Sequence, residues 1–177
     1  SEMCIRDRLT VDTHFEDGYP CRLCQDLYGE QYANVMACSS RQLVEFIRWI
    51  QQQPFYENTT IVLVGDHLTM DSDFCANVSP EYQRGVLNIF VNAPVMAVNT
   101  KNRIASTMDM FPTTIAALGG EIEGDRLGLG TNLFSGRPTL AEELGMDQLN
   151  AEVRKNSLFY AGLAGGMEVD DSVMDMK

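Results

Sequence analysis

The chain has 177 residues, and at roughly 150 residues per domain that is one domain or a large piece of one. It is 45% hydrophobic and 21% charged, so a packed core is expected and wholesale disorder is excluded. Lys and Arg number 13 against 25 Asp and Glu, a formal charge of −12. A surface that acidic repels polyphosphate, which argues against nucleic acid as a partner.

Ser1 to Arg8 mixes acids and bases with no helix or strand period, and is expected to be a non-native or disordered leader. Leu9-Thr10-Val11 reads as a strand entered midway, leading into Asp12-Thr13-His14. Thr10 to Cys24 is loop-like. From Tyr32, residues Val35, Met36, Leu43, Phe46, Ile47 and Ile50 recur at mostly helical spacing, which predicts one helix ending at Gln53 before Pro54. Arg41, Glu45 and Arg48 mark its solvated face. Thr60 to Val64 is a short β-branched run closed by Gly65, the pattern of a parallel strand covered on both faces. Leu87 to Val91 is a second strand. Ser106 to Leu118 reads as a helix capped by Ser106 or Asp109 and stopped at Gly119-Gly120. Gly124 to Pro138 is a surface loop or hairpin, and Thr139 to Leu144 starts a short helix. From Gly162 the chain turns acidic and Gly/Met-rich. The longest uncharged stretch, Gly85 to Thr100, is too short and polar to span a bilayer. The alternation predicts an α/β domain with a mostly parallel sheet sandwiched by helices.

The chain holds two histidines, each just beyond an apolar run. Asp66-His67 follows a strand through Gly65, and functional groups of open α/β sheets gather beyond strand carboxyl ends. A carboxylate oxygen with an imidazole nitrogen suits Zn²⁺ or Mn²⁺. A capping Asp beside a surface His explains the same pair more simply, and His14 alone in an Asp/Gly-rich loop reads as solvated.

Taken together, Thr10-Val11-Asp12-Thr13-His14-Phe15, Gln31-Tyr32-Ala33-Asn34-Val35, Ala37-Cys38-Ser39 and Val64-Gly65-Asp66-His67 are more specific. They resemble the C-terminal half of the lipoteichoic acid synthase and phosphoglycerol transferase family, sulfatase-like members of the alkaline phosphatase superfamily. Asp109-Met110-Phe111-Pro112-Thr113, Gly128 to Ser135 and Leu140 to Gly145 extend the resemblance over about residues 9 to 160. The resemblance implies residues 9–160 as the C-terminal part of a sulfatase-like catalytic domain and 161–177 as an acidic flexible tail.

By the same resemblance, Asp66 and His67 match the family's late metal-ligand pair, with Mn²⁺ the expected ion and Mg²⁺ or Zn²⁺ the alternatives. His14 matches the His that holds the phosphoglycerol group, although Asp12-Thr13 departs from the Ser-Asn or Thr-Asn common before it. The implied reaction moves glycerophosphate from a phosphatidylglycerol-type lipid to a glycan or polymer hydroxyl through a Thr nucleophile. Neither that Thr nor the family's further acidic ligand has a match here, so a truncated chain, inactive alone, is expected. The parent protein would sit at the extracytoplasmic face of the bacterial membrane, anchored by N-terminal helices. Two rivals are a sulfatase or phosphoethanolamine transferase on the same fold, and a non-catalytic domain binding glycan or lipid headgroup.

Setting Cys4 aside with the leader, Cys21, Cys24, Cys38 and Cys75 remain. Cys21-x-x-Cys24 invites a zinc or redox reading, but a zinc knuckle needs a second tidy pair, and Cys38 and Cys75 are far apart in sequence. An even count fits disulfides, in keeping with the extracytoplasmic placement that the resemblance implies. The expected pairs are Cys24–Cys38 and Cys21–Cys75, with buried free thiols as the alternative. Arg84, Arg103 and Arg126 read as surface charges that could neutralise a phosphate.

Overall fold

The structure is a computed structural model that describes residues 5–157 and 161–162. Cys4, the first half of the expected leader and nearly all of the acidic tail lie outside the described residues. The chain forms two compact units, one of residues 1–96 with 117–120, the other of residues 97–116 with 121–177.

The first unit is built on helix α1, Gln31–Gln51. Glu30 caps it, its carboxylate accepting from the Tyr32 and Ala33 backbone N–H groups at 3.0 and 2.7 Å, which satisfies donors a helix start leaves orphaned. Tyr32, Val35 and Cys38, three residues apart, are its buried stripe. Of the rest of the expected stripe, Met36 and Phe46 are exposed and Leu43, Ile47 and Ile50 are half-buried. Phe46 stacks on Trp49, whose other edge meets Phe55.

Strands β1, Ile61–Val64, and β2, Asn88–Val91, pair from Ile61↔Val91 to Val64↔Asn88. The pairing is antiparallel and the sheet has two strands, which corrects the expectation of a mostly parallel sheet sandwiched by helices. Parallel neighbours need a crossover, usually a helix. Residues 65–87 contain turns and no helix, so the chain returns beside the strand it left. The mixed helix and strand content remains compatible with an α/β fold. Asn92, at φ 58°, closes β2 by donating to the Tyr56 and Thr59 carbonyls.

In the second unit a single 3₁₀ turn, Thr107–Asp109, leads into α2, Met110–Ala117. The cap of this element is Ser106, and Asp109 closes the box from inside: its carboxylate accepts from the Ser106 N–H at 2.8 Å. The other carboxylate oxygen takes the Thr131 N–H at 2.7 Å, tying the helix start to a two-residue hairpin. That hairpin pairs β3, Arg126–Leu127, with β4, Gly130–Thr131. The segment is thus the hairpin expected there, exposed at its turn, with Gly130, Thr131 and Asn132 buried. A Cβ on Gly130 would overlap the Met108 carbonyl. Thr139 and Glu142 form a capping box on α3, Leu140–Leu144, and α4, Met146–Val153, follows directly. No helix among the described residues is long and apolar enough to cross a membrane.

Candidate functional site

Strand β1 ends at Val64, and Gly65 still extends the ladder by one bond, donating to the Leu87 carbonyl at 2.9 Å. Asp66 and His67 then leave the sheet. The Asp66 carboxylate accepts from the His67 backbone N–H at 2.9 Å. That bond, more than anything else, holds its carboxyl below the usual carboxylate range. The two side chains are 82% and 58% exposed, with Asp66 Oδ2 and His67 Nε2 3.4 Å apart.

His67 Nδ1 lies 2.7 Å from the Leu68 carbonyl and His14 Nδ1 lies 2.6 Å from the Phe15 carbonyl. A carbonyl only accepts, so each Nδ1 donates, and in the neutral ring Nε2 is the nitrogen with the lone pair. That is the state a metal ligand needs, fixed by the bond on the opposite nitrogen. Two donors about 2.1 Å from a tetrahedral ion stand roughly 3.4 Å apart. Asp66 and His67 therefore fit a shared divalent cation as two of its ligands. Among the described residues no third carboxylate or imidazole joins them at ligand distance; the one close group of three donors is Cys21, Cys24 and Cys38.

The His14 and His67 loops are held together by residues whose role the sequence did not disclose. The Tyr32 hydroxyl donates to the Thr13 carbonyl at 2.9 Å and meets Thr69 Oγ1 at 2.8 Å. Its ring packs edge-on against Phe74, centroids 4.9 Å apart. Asp71, 5% exposed, accepts from the Phe74 and Asp17 backbone N–H groups at 3.0 and 3.1 Å. These bonds hold its carboxyl below the ordinary range. Between the loops lies a cleft of about 60 Å³ lined by Phe15, Glu16, Asp17, Met70 and Asp71 among others. Tyr32 stands in the string Gln31 to Val35, but helical spacing marks it only as core. Thr69 is committed to this clamp, its oxygen also accepting from the Asp71 N–H at 3.2 Å.

All four described cysteines are free thiols, so the expected Cys24–Cys38 and Cys21–Cys75 disulfides are not formed. Cys75 is turned to Arg84, whose Nη1 donates to its sulfur at 3.0 Å. The other three converge because the loop after Pro20 folds back on α1. Sharing a proton with Cys24 inside the buried stripe pushes the Cys38 thiol up to about 11. Cys21 is lowered, chiefly by the Leu23 N–H on its sulfur.

All three arginines considered for phosphate make bonds elsewhere, Arg84 to Cys75 Sγ and the Thr69 carbonyl. Arg103 grips Glu142 with two bonds, 2.8 and 2.9 Å, and donates to the Leu133, Ser135 and Arg137 carbonyls. Arg126 pairs with Glu143 at 2.9 Å. Glu142 falls to about 2 under the Arg103 guanidinium. The motif Asp109 to Thr113 is likewise structural: Thr113 Oγ1 donates to the Asp109 carbonyl and accepts from the Leu133 N–H.

No protein-family model matches the chain, and no solved structure matches it significantly. Curated relatives do. It is 32% identical over 135 residues to phosphoglycerol transferase I of Citrobacter koseri, covering 73% of this chain and 17% of that protein. The same protein of Salmonella choleraesuis is 32% identical and that of Escherichia fergusonii 33%, over the same shares. The chain thus spans about a sixth of the length of these relatives. With 32–33% identity over 73% of its residues, the chain is a homologue of part of phosphoglycerol transferase I, the kind of protein its motifs resemble.

Proposed function

We propose that this chain supplies the late metal ligands and the headgroup contact of a phosphoglycerol transferase. Asp66 Oδ2 and His67 Nε2 hold a divalent cation, Mn²⁺ ahead of Mg²⁺ and Zn²⁺. When bound, the ion supplies positive charge that neutralises phosphoryl oxygens and activates an oxygen nucleophile. His14, its Nδ1 proton committed to the Phe15 carbonyl, offers Nε2 to the glycerol hydroxyls of a phosphatidylglycerol-type lipid. A glycan or polymer hydroxyl is the acceptor, at the extracytoplasmic face of the membrane. The nucleophilic Thr and the remaining acidic ligand come, in this reading, from the rest of a protein as long as the relatives. By itself the chain then binds metal weakly and turns over nothing.

The observation that carries the proposal is the matched orientation of the two imidazoles, each with Nδ1 donating to the next residue's carbonyl, on loops tied through one hydroxyl. The 3.4 Å spacing of the Asp66 and His67 donor atoms supports it.

The test is phosphoglycerol transfer by a full-length enzyme carrying this segment. Asp66→Ala and His67→Ala should each lower the rate more than about 100-fold, beyond the loss of an outer partner of a metal ligand. His14→Ala should raise KM for the lipid more than it lowers kcat for a water-soluble donor. Full activity in Asp66→Ala would remove the metal assignment.

A further inference from the structure

The convergence of Cys21, Cys24 and Cys38 is not used by the transferase reading and stands independently of it. Cys21 Sγ is 3.8 Å from Cys24 Sγ and 4.0 Å from Cys38 Sγ, and all three lie within 4.8 Å of one another. A disulfide needs about 2.05 Å. The edge of a tetrahedron with zinc–sulfur bonds of about 2.3 Å is roughly 3.8 Å. The two separations from Cys21 match the second figure.

Hydrogen-bond donors approach each of the three sulfurs, an arrangement that suits sulfur held by a metal. The Leu23 N–H points at Cys21 Sγ at 3.4 Å and the Cys21 N–H at Cys24 Sγ at 3.2 Å. These bonds accompany a tight turn in which the Cys24 N–H returns to the Cys21 carbonyl at 3.0 Å. From α1, the Gln42 amide nitrogen reaches Cys38 Sγ at 3.4 Å and Cys21 Sγ at 3.7 Å, and Arg41 Nη2 reaches Cys38 Sγ at 3.7 Å. Arg41 also donates to the Leu23 carbonyl at 2.6 Å, pinning the turn to the helix. Three thiolates around a divalent ion leave one net negative charge, and Arg41 is the cation beside it. Such outer-shell donors orient ligands and tune a metal site.

We infer that Cys21, Cys24 and Cys38 form a three-thiolate zinc site that fastens the turn after Pro20 to α1. Soft sulfur donors select zinc over the hard cations expected at Asp66 and His67. Each sulfur releases its proton to solvent as its bond to zinc forms, three protons for one ion. The fourth position falls to water. The tidy second pair of a zinc knuckle is thus unnecessary: one pair in sequence and one helical cysteine suffice.

The experiment is metal analysis of the whole 177-residue chain, purified reduced and without chelator, in an Asp66→Ala/His67→Ala background that removes the other metal pair. The expected result is about one zinc per chain, and, after exchange into Co²⁺, sulfur-to-cobalt charge-transfer absorption. Cys24→Ser, at the less buried position, should lose both while keeping its helical circular dichroism, and Cys75→Ser should keep both. A zinc-free wild-type chain, zinc retained by Cys24→Ser, or a disulfide among these three residues in protein isolated without reductant would each overturn the site. Because Asp66 and His67 are absent from the background, failure here leaves the transferase reading untouched.

Discussion

The Tyr32 hydroxyl stands 2.8 Å from Thr69 Oγ1 while donating to the Thr13 carbonyl at 2.9 Å. One phenol has one proton, so Thr69 is the donor in the shared bond. Two segments more than fifty residues apart in sequence, one leading to His14 and one leaving His67, are joined through a single oxygen on the first turn of α1.

Tyr32→Phe removes that oxygen and keeps the ring against Phe74. The Thr13 carbonyl and the Thr69 hydroxyl lose their partner, so the first unit should be destabilised by about 1–2 kcal/mol. Urea unfolding followed by the fluorescence of Trp49, the one tryptophan, measures it. An unchanged midpoint would mean that the two loops are held by other contacts.

Gly18 and Gly29 separate two costs. Both have positive φ, 64° and 58°, but a Cβ at Gly18 would stand 2.8 Å from the Asp12 carbonyl and from Val35 Cγ1, while at Gly29 it meets nothing within 4 Å. Gly29→Ala should cost about 1–2 kcal/mol from the backbone conformation alone. Gly18→Ala adds an overlap with main chain and should cost roughly 1–3 kcal/mol more. Equal losses in the two variants would show that the Asp12 turn yields freely.

Stability should depend on acid through Glu142. Its pKa is lowered from 4.5 to about 2 by Arg103, so the folded state binds the proton less tightly than the unfolded state. The contribution is complete above the unfolded value and is lost as pH falls from 4.5 towards 2. With side chains 12% and 22% exposed, it should amount to roughly 1–2 kcal/mol after solvent screening. Glu142→Gln should flatten this part of the stability profile, read by circular dichroism melts between pH 5 and pH 2; an identical slope in the variant would assign the acid sensitivity elsewhere.

Asp109 and Asp66 should respond oppositely to the same change. Asp109 is 2% exposed and accepts from the Ser106 and Thr131 N–H groups, so Asp109→Ala strands buried donors and should cost about 2–4 kcal/mol. Asp66→Ala, at a solvent-facing position, should change stability by less than about 0.5 kcal/mol. Chemical denaturation of the two variants side by side checks this, and a stability loss in Asp66→Ala as large as in Asp109→Ala would contradict it.

Local elements were largely legible. The periodic run from Tyr32 became a single helix across Ser39-Ser40, and the runs from Thr60 and Leu87 became strands within a residue of their expected starts, whereas Leu9 to Val11 is exposed and forms none. Strand direction was not legible, because a β-branched run reports burial while the connection decides the partner, and residues 65–87 carry no helical period. The helix Met146–Val153 escaped notice behind Gly145, whose φ of 80° resets the chain. Within the candidate site, Asp66, His67 and His14 were visible as residue types beyond strand-like runs. Tyr32 was not, since its hydroxyl bonds join residues that no spacing rule connects. Cys38 was expected beside Cys24 as a disulfide; the turn after Pro20 instead brings it, as a free thiol, to Cys21 as well, while Cys75 faces Arg84. Arg103 looked like a surface charge and is instead the hub of five bonds.

The ribbon of β1 and β2 has a consequence for handling this protein. Strand β1 spends one side of its backbone on β2 and presents a second rank of amide and carbonyl groups on the other, with apolar Val64 exposed beside it. Such a rank recruits a further strand wherever one is available. In concentrated solutions of the chain, the first association to form should therefore be a widening of this ribbon, seeded at the very strand that delivers Asp66 and His67.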